Sequence, residues 1–408
     1  MSGENNLDKS NRRTWVQIDL DAISQNVCAI NKILDSKSKI MAIVKADAYG
    51  HGATFVAKEL ESSGVDFFGV SCVDEAVQLR ESGIQKNILI LGYTIPNHEN
   101  IKKLMKYDIA QTIFDFESAK IISEIAIEYC GKIKIHIKID TGMNRIGFRH
   151  TSKNKDEQLI SKIRDIKLLD NLNCEGIFTH FASSDDIKSN FTKEQFDLFQ
   201  ELIDSLEREN IYFNIKHAAN SGATINFKET HLDYVRCGLI LYGLYPSKAT
   251  QSAAENNNIK LVPAMQLKTI ISQIHTVNQG ETISYNRTYK AGKDILCAAL
   301  PIGYADGFSR LLSNSSSVIL KGRQVPVIGR VCMDQSMIDV TSCPKAKTGD
   351  IVTIFGCDEE SGEYIGVEQI ADMMETINYE VVCLIGKRVP RIFYKNGVET
   401  GHLNYIAP

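Results

Sequence analysis

From residue 39 to about residue 245 the chain alternates short apolar runs with longer stretches whose apolar positions recur every three or four residues. The run 39–44 (KIMAIV) reads as a buried strand, and 53–63 then carries Phe55, Val56 and Leu60 on one helical face. Further strand-like runs fall at 66–70, 87–91, 109–114, 132–139, 174–179, 212–216 and 232–235. Helical patterns at 73–81, 98–105, 117–129, 156–166 and 192–209 lie between most of them. Strands separated by helices imply parallel neighbours, because a parallel pair needs a crossover. Eight such strands predict a closed (β/α)8 barrel of the TIM type. An open doubly wound sheet is the alternative, weakened because no GxGxxG follows the first strand.

The pattern changes after about residue 245. Residues 247–258 are polar and read as a linker, and short β-like runs with glycine-containing turns follow at 266–274, 295–299, 317–320, 325–331, 336–340 and 350–355. One helix is expected near 366–377. The fold class is therefore α/β plus β: a barrel over 14–250 and a mostly β domain over 260–400.

Composition fits this picture. The 408 residues are 43% hydrophobic and 24% charged, with a net charge of −4, which gives no general attraction to nucleic acid or anionic membrane. No apolar run reaches the roughly 20 residues that span a bilayer, and 1–13 lacks an apolar signal core. The ten cysteines show no CxxC pair and no metal-ligand spacing. A cytoplasmic protein with reduced thiols and no metal is expected.

Catalytic groups of such barrels sit at the C-terminal strand ends. Here the first strand ends in Lys45, the fifth carries Lys138 and Asp140 and leads to Arg145, and the sixth ends at His180. The seventh leads to His217 and then Asn220, Ser221 and Gly222, and the eighth ends in Arg236, Cys237 and Gly238. In a closed barrel the first and eighth strands are neighbours, so Lys45 and Arg236 should lie close together. Adjacent cations repel, which lowers a lysine pKa and suits it to Schiff-base chemistry. The small residues after strands seven and eight lie where barrels often bind phosphate, although either segment alone is an ordinary turn.

A series of motifs carries a specific resemblance: VKADAYGHG at 44–52, HIKIDTGMNR at 136–145, FTHF at 178–181, ANSG at 219–222 and VRCG at 235–238. Beyond them come ISYN at 283–286, PIGYADG at 301–307, VCMDQ at 331–335 and INYE at 377–380. In this order, from about residue 14 to 393, the chain resembles the alanine racemase family. It departs where the family usually has Ser-Tyr before an Arg-Val-Pro-Arg motif; this chain has Gly386 and Lys387.

The resemblance implies a pyridoxal 5'-phosphate enzyme that interconverts L-alanine and D-alanine, working as a homodimer with shared active sites. Lys45 would hold the cofactor and act as one base, with Tyr285 from the second subunit as the other. Arg236 would face the pyridine nitrogen, with His180 and His217 as its partners. Tyr49, Ser221, Gly238, Leu239 and Tyr379 would surround the phosphate, beside Asn220. Lys138, as a carbamate, would position Arg145 against the substrate carboxylate. Met333 of the second subunit would contact substrate through its backbone, with Asp334 and Tyr304 near the entrance. A barrel decarboxylase, a serine or broad-specificity racemase, and a cofactor carrier without turnover are the alternatives. Decarboxylases usually offer the pyridine nitrogen a carboxylate, and the carriers lack a β domain.

Overall fold

The computed structural model describes residues 12–151 and 157–407. Asp156, the expected start of one helix, lies outside them. The chain divides into two compact units: 23–48 with 53–262, and 1–22 with 49–52 and 263–408.

The first unit is the barrel. Its strands are Lys39–Ile43, Phe67–Val70, Asn87–Ile90, Ala110–Ile113, Ile133–Asp140, Leu172–Phe178, Ile215–His217 and Tyr234–Cys237. Each pairs in parallel with the next, and the eighth closes onto the first, with Arg236 opposite Met41. The fifth strand shows why the barrel has a polar interior. Its period of two puts Ile133, Ile135, Ile137 and Ile139 on one face and His136, Lys138 and Asp140 on the other, and nearly all are buried. The helices are amphipathic. In Phe191–Arg208 the buried positions are Thr192, Gln195, Phe199, Leu202, Ile203 and Leu206, spaced by three and four.

Two expectations in this unit give way. The stretch 247–258, read as a linker, contains the helix Lys248–Asn256, capped by Ser247, whose Oγ accepts from the Thr250 N–H at 3.1 Å. Only Thr250 and Ala254 are buried in it, so it carries too little apolar periodicity to read as a helix. The seventh strand begins at Ile215 rather than 212, and Tyr212 is exposed.

The second unit is built on an eleven-stranded sheet, antiparallel except where Thr14–Asp19 runs parallel to Arg391–Lys395. Thr14–Asp19, assigned in sequence to the start of the barrel, pairs on its other side with Met265–Ile270. Its alternating burial marks a one-sided strand, but a single short run gives no partner away. The helix expected near 366–377 is Val367–Met373, ended before Glu375, which takes φ 54°, and a second, unexpected helix follows at Asn378–Cys383. Gly386 has a steric reason. A Cβ there would come within 2.7 Å of the Ala305 carbonyl oxygen, so the serine usual in the family would not fit this backbone.

Candidate active site

Lys45 follows the first barrel strand and opens a turn of unusual hand. Ala46, Asp47 and Ala48 have φ between 51° and 56° with ψ between 47° and 49°, and Tyr49 continues at φ 54°. Left-handed helical backbone costs L-residues roughly 1–2 kcal/mol each, so the turn persists only if its surroundings impose it. The Ala48 N–H donates to the Val44 carbonyl at 2.8 Å. Asp47 Oδ1 accepts from the Ala53 N–H at 2.8 Å. Glu75 accepts from the N–H groups of Ala46 and Ser71, both at 2.7 Å. One carboxylate thus ties the residue after Lys45 to the end of the second strand. Neither Asp47 nor Glu75 was singled out in sequence, because the left-handed turn they hold leaves no periodic trace.

Arg236 is 3% exposed and surrounded by neutral acceptors. Its Nη1 donates to His217 Nδ1 at 2.9 Å. Its Nη2 lies 2.7 Å from the carbonyls of Thr179 and Ala218 and 3.1 Å from His180 Nδ1. No carboxylate pairs with it among the described residues, and its Nε–H takes part in none of these bonds. Burial and the nearby Arg145 push its pKa down to about 9, so it stays charged at neutral pH. Burial and Arg236 hold His180 and His217 well below the ordinary histidine value. Both are neutral at pH 7 and serve as acceptors.

Strands seven and eight end in a backbone cradle. The Asn220 side chain caps the helix Ser221–Asn226 by accepting from the Ala223 N–H at 3.0 Å. Ser221 Oγ accepts from the Gly238 N–H at 2.9 Å and ties the two segments together. Ser221, Gly222 and Leu239 are buried residues, and their N–H groups have no hydrogen-bond partner among the described residues. Orphaned buried N–H groups are rare in native proteins, and clustered at strand ends they form a seat for an anion.

Lys138 is 5% exposed. Burial, then the positive charges of Arg145, Arg236 and Lys45, push its pKa down to about 7, with Asp140 only partly offsetting them. Asp140 is engaged with backbone: Oδ1 accepts from the N–H groups of Gly142 and Asn144, and Oδ2 from that of Arg145. It shapes the loop carrying exposed Arg145 rather than pairing with Lys138. The converging cations act on Lys138.

The second unit holds the other residues. Tyr49, four positions after Lys45, has its ring centroid 6.0 Å from that of Tyr379. Tyr285 is 67% exposed and lies between Ser284 at φ 66° and Asn286 at φ 58°. Ser284 fixes this turn by donating to the Arg330 carbonyl at 2.7 Å. Tyr285, Met333 and Asp334 line one open concavity of about 800 Å³. The Met333 carbonyl accepts from the Ala305 N–H at 3.1 Å, while its own N–H is unbonded among the described residues. Tyr304 donates its N–H to the Cys332 carbonyl. Asp334 pairs with Arg388 at 2.6 Å. Sequence reading missed Arg388, which also binds the fully buried Asp306.

The family described as "Alanine racemase, N-terminal domain" matches residues 18–246, and "Alanine racemase, C-terminal domain" matches 264–393. The chain is 44% identical over 395 residues to the alanine racemase of Clostridium perfringens (97% of this chain, 99% of the relative). It is 44% identical over 379 residues to that of Methanococcus maripaludis (93% and 98%). Among solved structures, the alanine racemase of Clostridium difficile 630 superposes with a TM-score of 0.90 at 37% identity, covering 98% of this chain and 100% of that one. That of Bacillus anthracis, with bound L-Ala-P, gives 0.89 at 36% identity, covering 97% and 98%. Two family models covering 18–246 and 264–393, and 44% identity over 395 residues to a relative matched along nearly its whole length, decide the matter: this chain belongs to the alanine racemase family.

Proposed function

We propose that this chain interconverts L-alanine and D-alanine with pyridoxal 5'-phosphate held on Lys45. In this reading it works as a homodimer in the cytoplasm, the barrel unit of 23–48 with 53–262 forming the cofactor domain and the β unit the domain lent to the neighbouring subunit. The observation that carries the reading is the cradle of three orphaned N–H groups at Ser221, Gly222 and Leu239, in the same barrel as a cluster of cations. Among the described residues neither Lys138 nor Arg236 has a carboxylate partner. Such a donor set fits a phosphate and a substrate carboxylate. No two of the ten cysteines form a disulfide, and no helix among the described residues is long and apolar enough to cross a membrane.

When bound, the cofactor draws electron density from the substrate α-carbon and so eases loss of its proton. Lys45 takes or returns that proton on one face, and Tyr285 of the second subunit does so on the other. Arg236 keeps its own proton and offers only a hydrogen bond to the ring nitrogen, with His180 and His217 orienting it. Ser221, Gly238, Leu239, Tyr49 and Tyr379 surround the phosphate, beside Asn220. Arg145 grips the substrate carboxylate, joined by the Met333 N–H of the second subunit, with Tyr304 and Asp334 at the entrance. Lys138, half neutral near pH 7, attacks carbon dioxide through its amine nitrogen and releases one proton. The resulting carbamate offsets Arg145.

The test is an assay of the purified protein with added cofactor on a panel of L-amino acids, with chiral product analysis. D-alanine should form fastest. Serine should follow within the roughly 1–3 kcal/mol that one small group is worth in a pocket. Release of carbon dioxide from the substrate, or no D-product with cofactor bound, would overturn the reading.

A further inference from the structure

Beyond Arg236 and His217 the barrel interior holds two more polar side chains in one unbroken line. His217 Nε2 lies 2.9 Å from His136 Nδ1, and His136 Nε2 lies 3.2 Å from Glu175 Oε1. Both imidazoles are fully buried, whereas the Glu175 side chain is 17% exposed. Phe178 stacks on His217 at 4.6 Å with rings 9° apart, and Phe67 meets the edge of His136 at 5.7 Å.

The strands are shaped to make this line. Ile135 pairs with Cys174 and the next residue, His136, pairs with Gly176, so Glu175 is an extra residue bulged out of the sixth strand. A bulge re-aims its side chain, and here the carboxylate reaches His136. Gly176 supplies the space, since a Cβ on it would lie 2.2 Å from His136 Nδ1.

We infer that Glu175 and His136 are positioning residues that set the tautomer of His217 and thereby the hold on Arg236. A guanidinium only donates and a carboxylate only accepts. With Arg236 donating to Nδ1 of His217, the single proton of that neutral ring sits on Nε2 and is donated to His136 Nδ1. His136 then also carries its proton on Nε2 and donates it to Glu175. Reversing the two rings would set an N–H against the guanidinium. The donor at one end and the acceptor at the other leave one polarity, and the carboxylate makes His217 Nδ1 a better acceptor. Glu175 and Phe178 are three positions apart on the sixth strand, so the line carries the influence of a partly solvated carboxylate roughly 10 Å along it.

The consequence for catalysis rests on the proposed function, but the tautomers do not, so both are measured. In protein labelled with ¹⁵N-histidine, long-range ¹H–¹⁵N spectra with and without pyridoxal phosphate should show His136 and His217 protonated on Nε2 alone. Glu175→Met removes the acceptor at His136 Nε2 and should give mixed tautomers at His136, a weakened His217–His136 bond and a shifted cofactor absorbance. Its kcat should fall about tenfold, as expected for a weakened bond to a charged group, with KM for alanine little changed. Glu175→Gln, which keeps an acceptor, should recover part of kcat. An Nδ1–H on His217 in the wild type, or Glu175→Met with wild-type tautomers whatever its activity, would overturn the inference. Tautomers as assigned in a wild type that binds no cofactor would sustain the line and sink the functional reading instead.

Discussion

Inside the barrel unit Arg236, His217 and His136 are buried and locked to one another, whereas Tyr285 and Met333 of the β unit stand in solvent. Arg236 is 3% exposed and His217 is fully buried; Tyr285 is 67% exposed and Met333 53%. Buried donors fixed before a ligand arrives act in a low dielectric and need no reorganisation. An exposed tyrosine on a rigid turn has no such setting within its own unit. The proposed function turns this contrast into a division of labour, in which the barrel would hold the ligand and the β unit would supply groups that a second copy encloses.

The largest effect should come from Lys45→Ala. On the proposed function this removes the group that would both hold the cofactor and move a proton, so kcat should fall on the order of 10⁴-fold or more. Dialysis should then strip the cofactor. Retention of the cofactor and of activity would break the barrel half of the comparison. Tyr285→Phe tests the other half. It should cost about 10²–10⁴-fold in kcat. In deuterated water, α-proton exchange should fail for one enantiomer of alanine and persist for the other. Equal loss for both would break the assignment of one face to each base.

How much of this was legible depended on whether a residue's role lay in pattern or in backbone detail. The eight barrel strands showed as apolar runs because both faces of such strands are buried, and Lys45, His180 and Arg236 followed from the strand ends. Thr14–Asp19 was missed because its partners lie some 250 and 375 residues further along the chain. Glu175 was invisible because a one-residue bulge has no sequence signature. The alternation of Ile with His136, Lys138 and Asp140 could have placed His136 in the interior, had the period of two been followed through the fifth strand.

Lys138 sharpens the comparison through pH. Its folded pKa is about 7, against an ordinary value of 10.5. Below pH 7 both folded and unfolded chains hold the proton, and the folded state bears the whole cost of a buried cation. Between about pH 7 and 10.5 the unfolded chain binds more protons, so stability rises with pH. Lys138→Met should flatten that rise and raise stability at pH 6 by about 2–4 kcal/mol, read from urea melts in carbon-dioxide-free buffer. In wild-type protein given ¹³C-bicarbonate, a carbamate resonance should appear, and the variant should lack it. A slope unchanged by the substitution would mean the amine is solvated rather than caged by Arg145 and Arg236.

The smallest of these effects belongs to Glu75, yet it tests whether the barrel half is rigid by construction. Its carboxylate accepts from two backbone N–H groups, those of Ala46 and Ser71, and each such bond is worth about 1 kcal/mol net. The turn it braces holds Ala46, Asp47 and Ala48 in left-handed backbone, a state that relaxes once its restraints go. Glu75→Ala should therefore cost about 1–2 kcal/mol in stability. The larger signature should be in hydrogen exchange, with the amides of 45–49 losing protection while those of the neighbouring strand 39–43 keep theirs. A uniform loss over both segments would show that Glu75 supports the whole barrel edge. Local loss would show that the conformation after Lys45 is held by a carboxylate bonded to two backbone N–H groups, where the exposed turn at Tyr285 is held by the Ser284 hydroxyl on the Arg330 carbonyl.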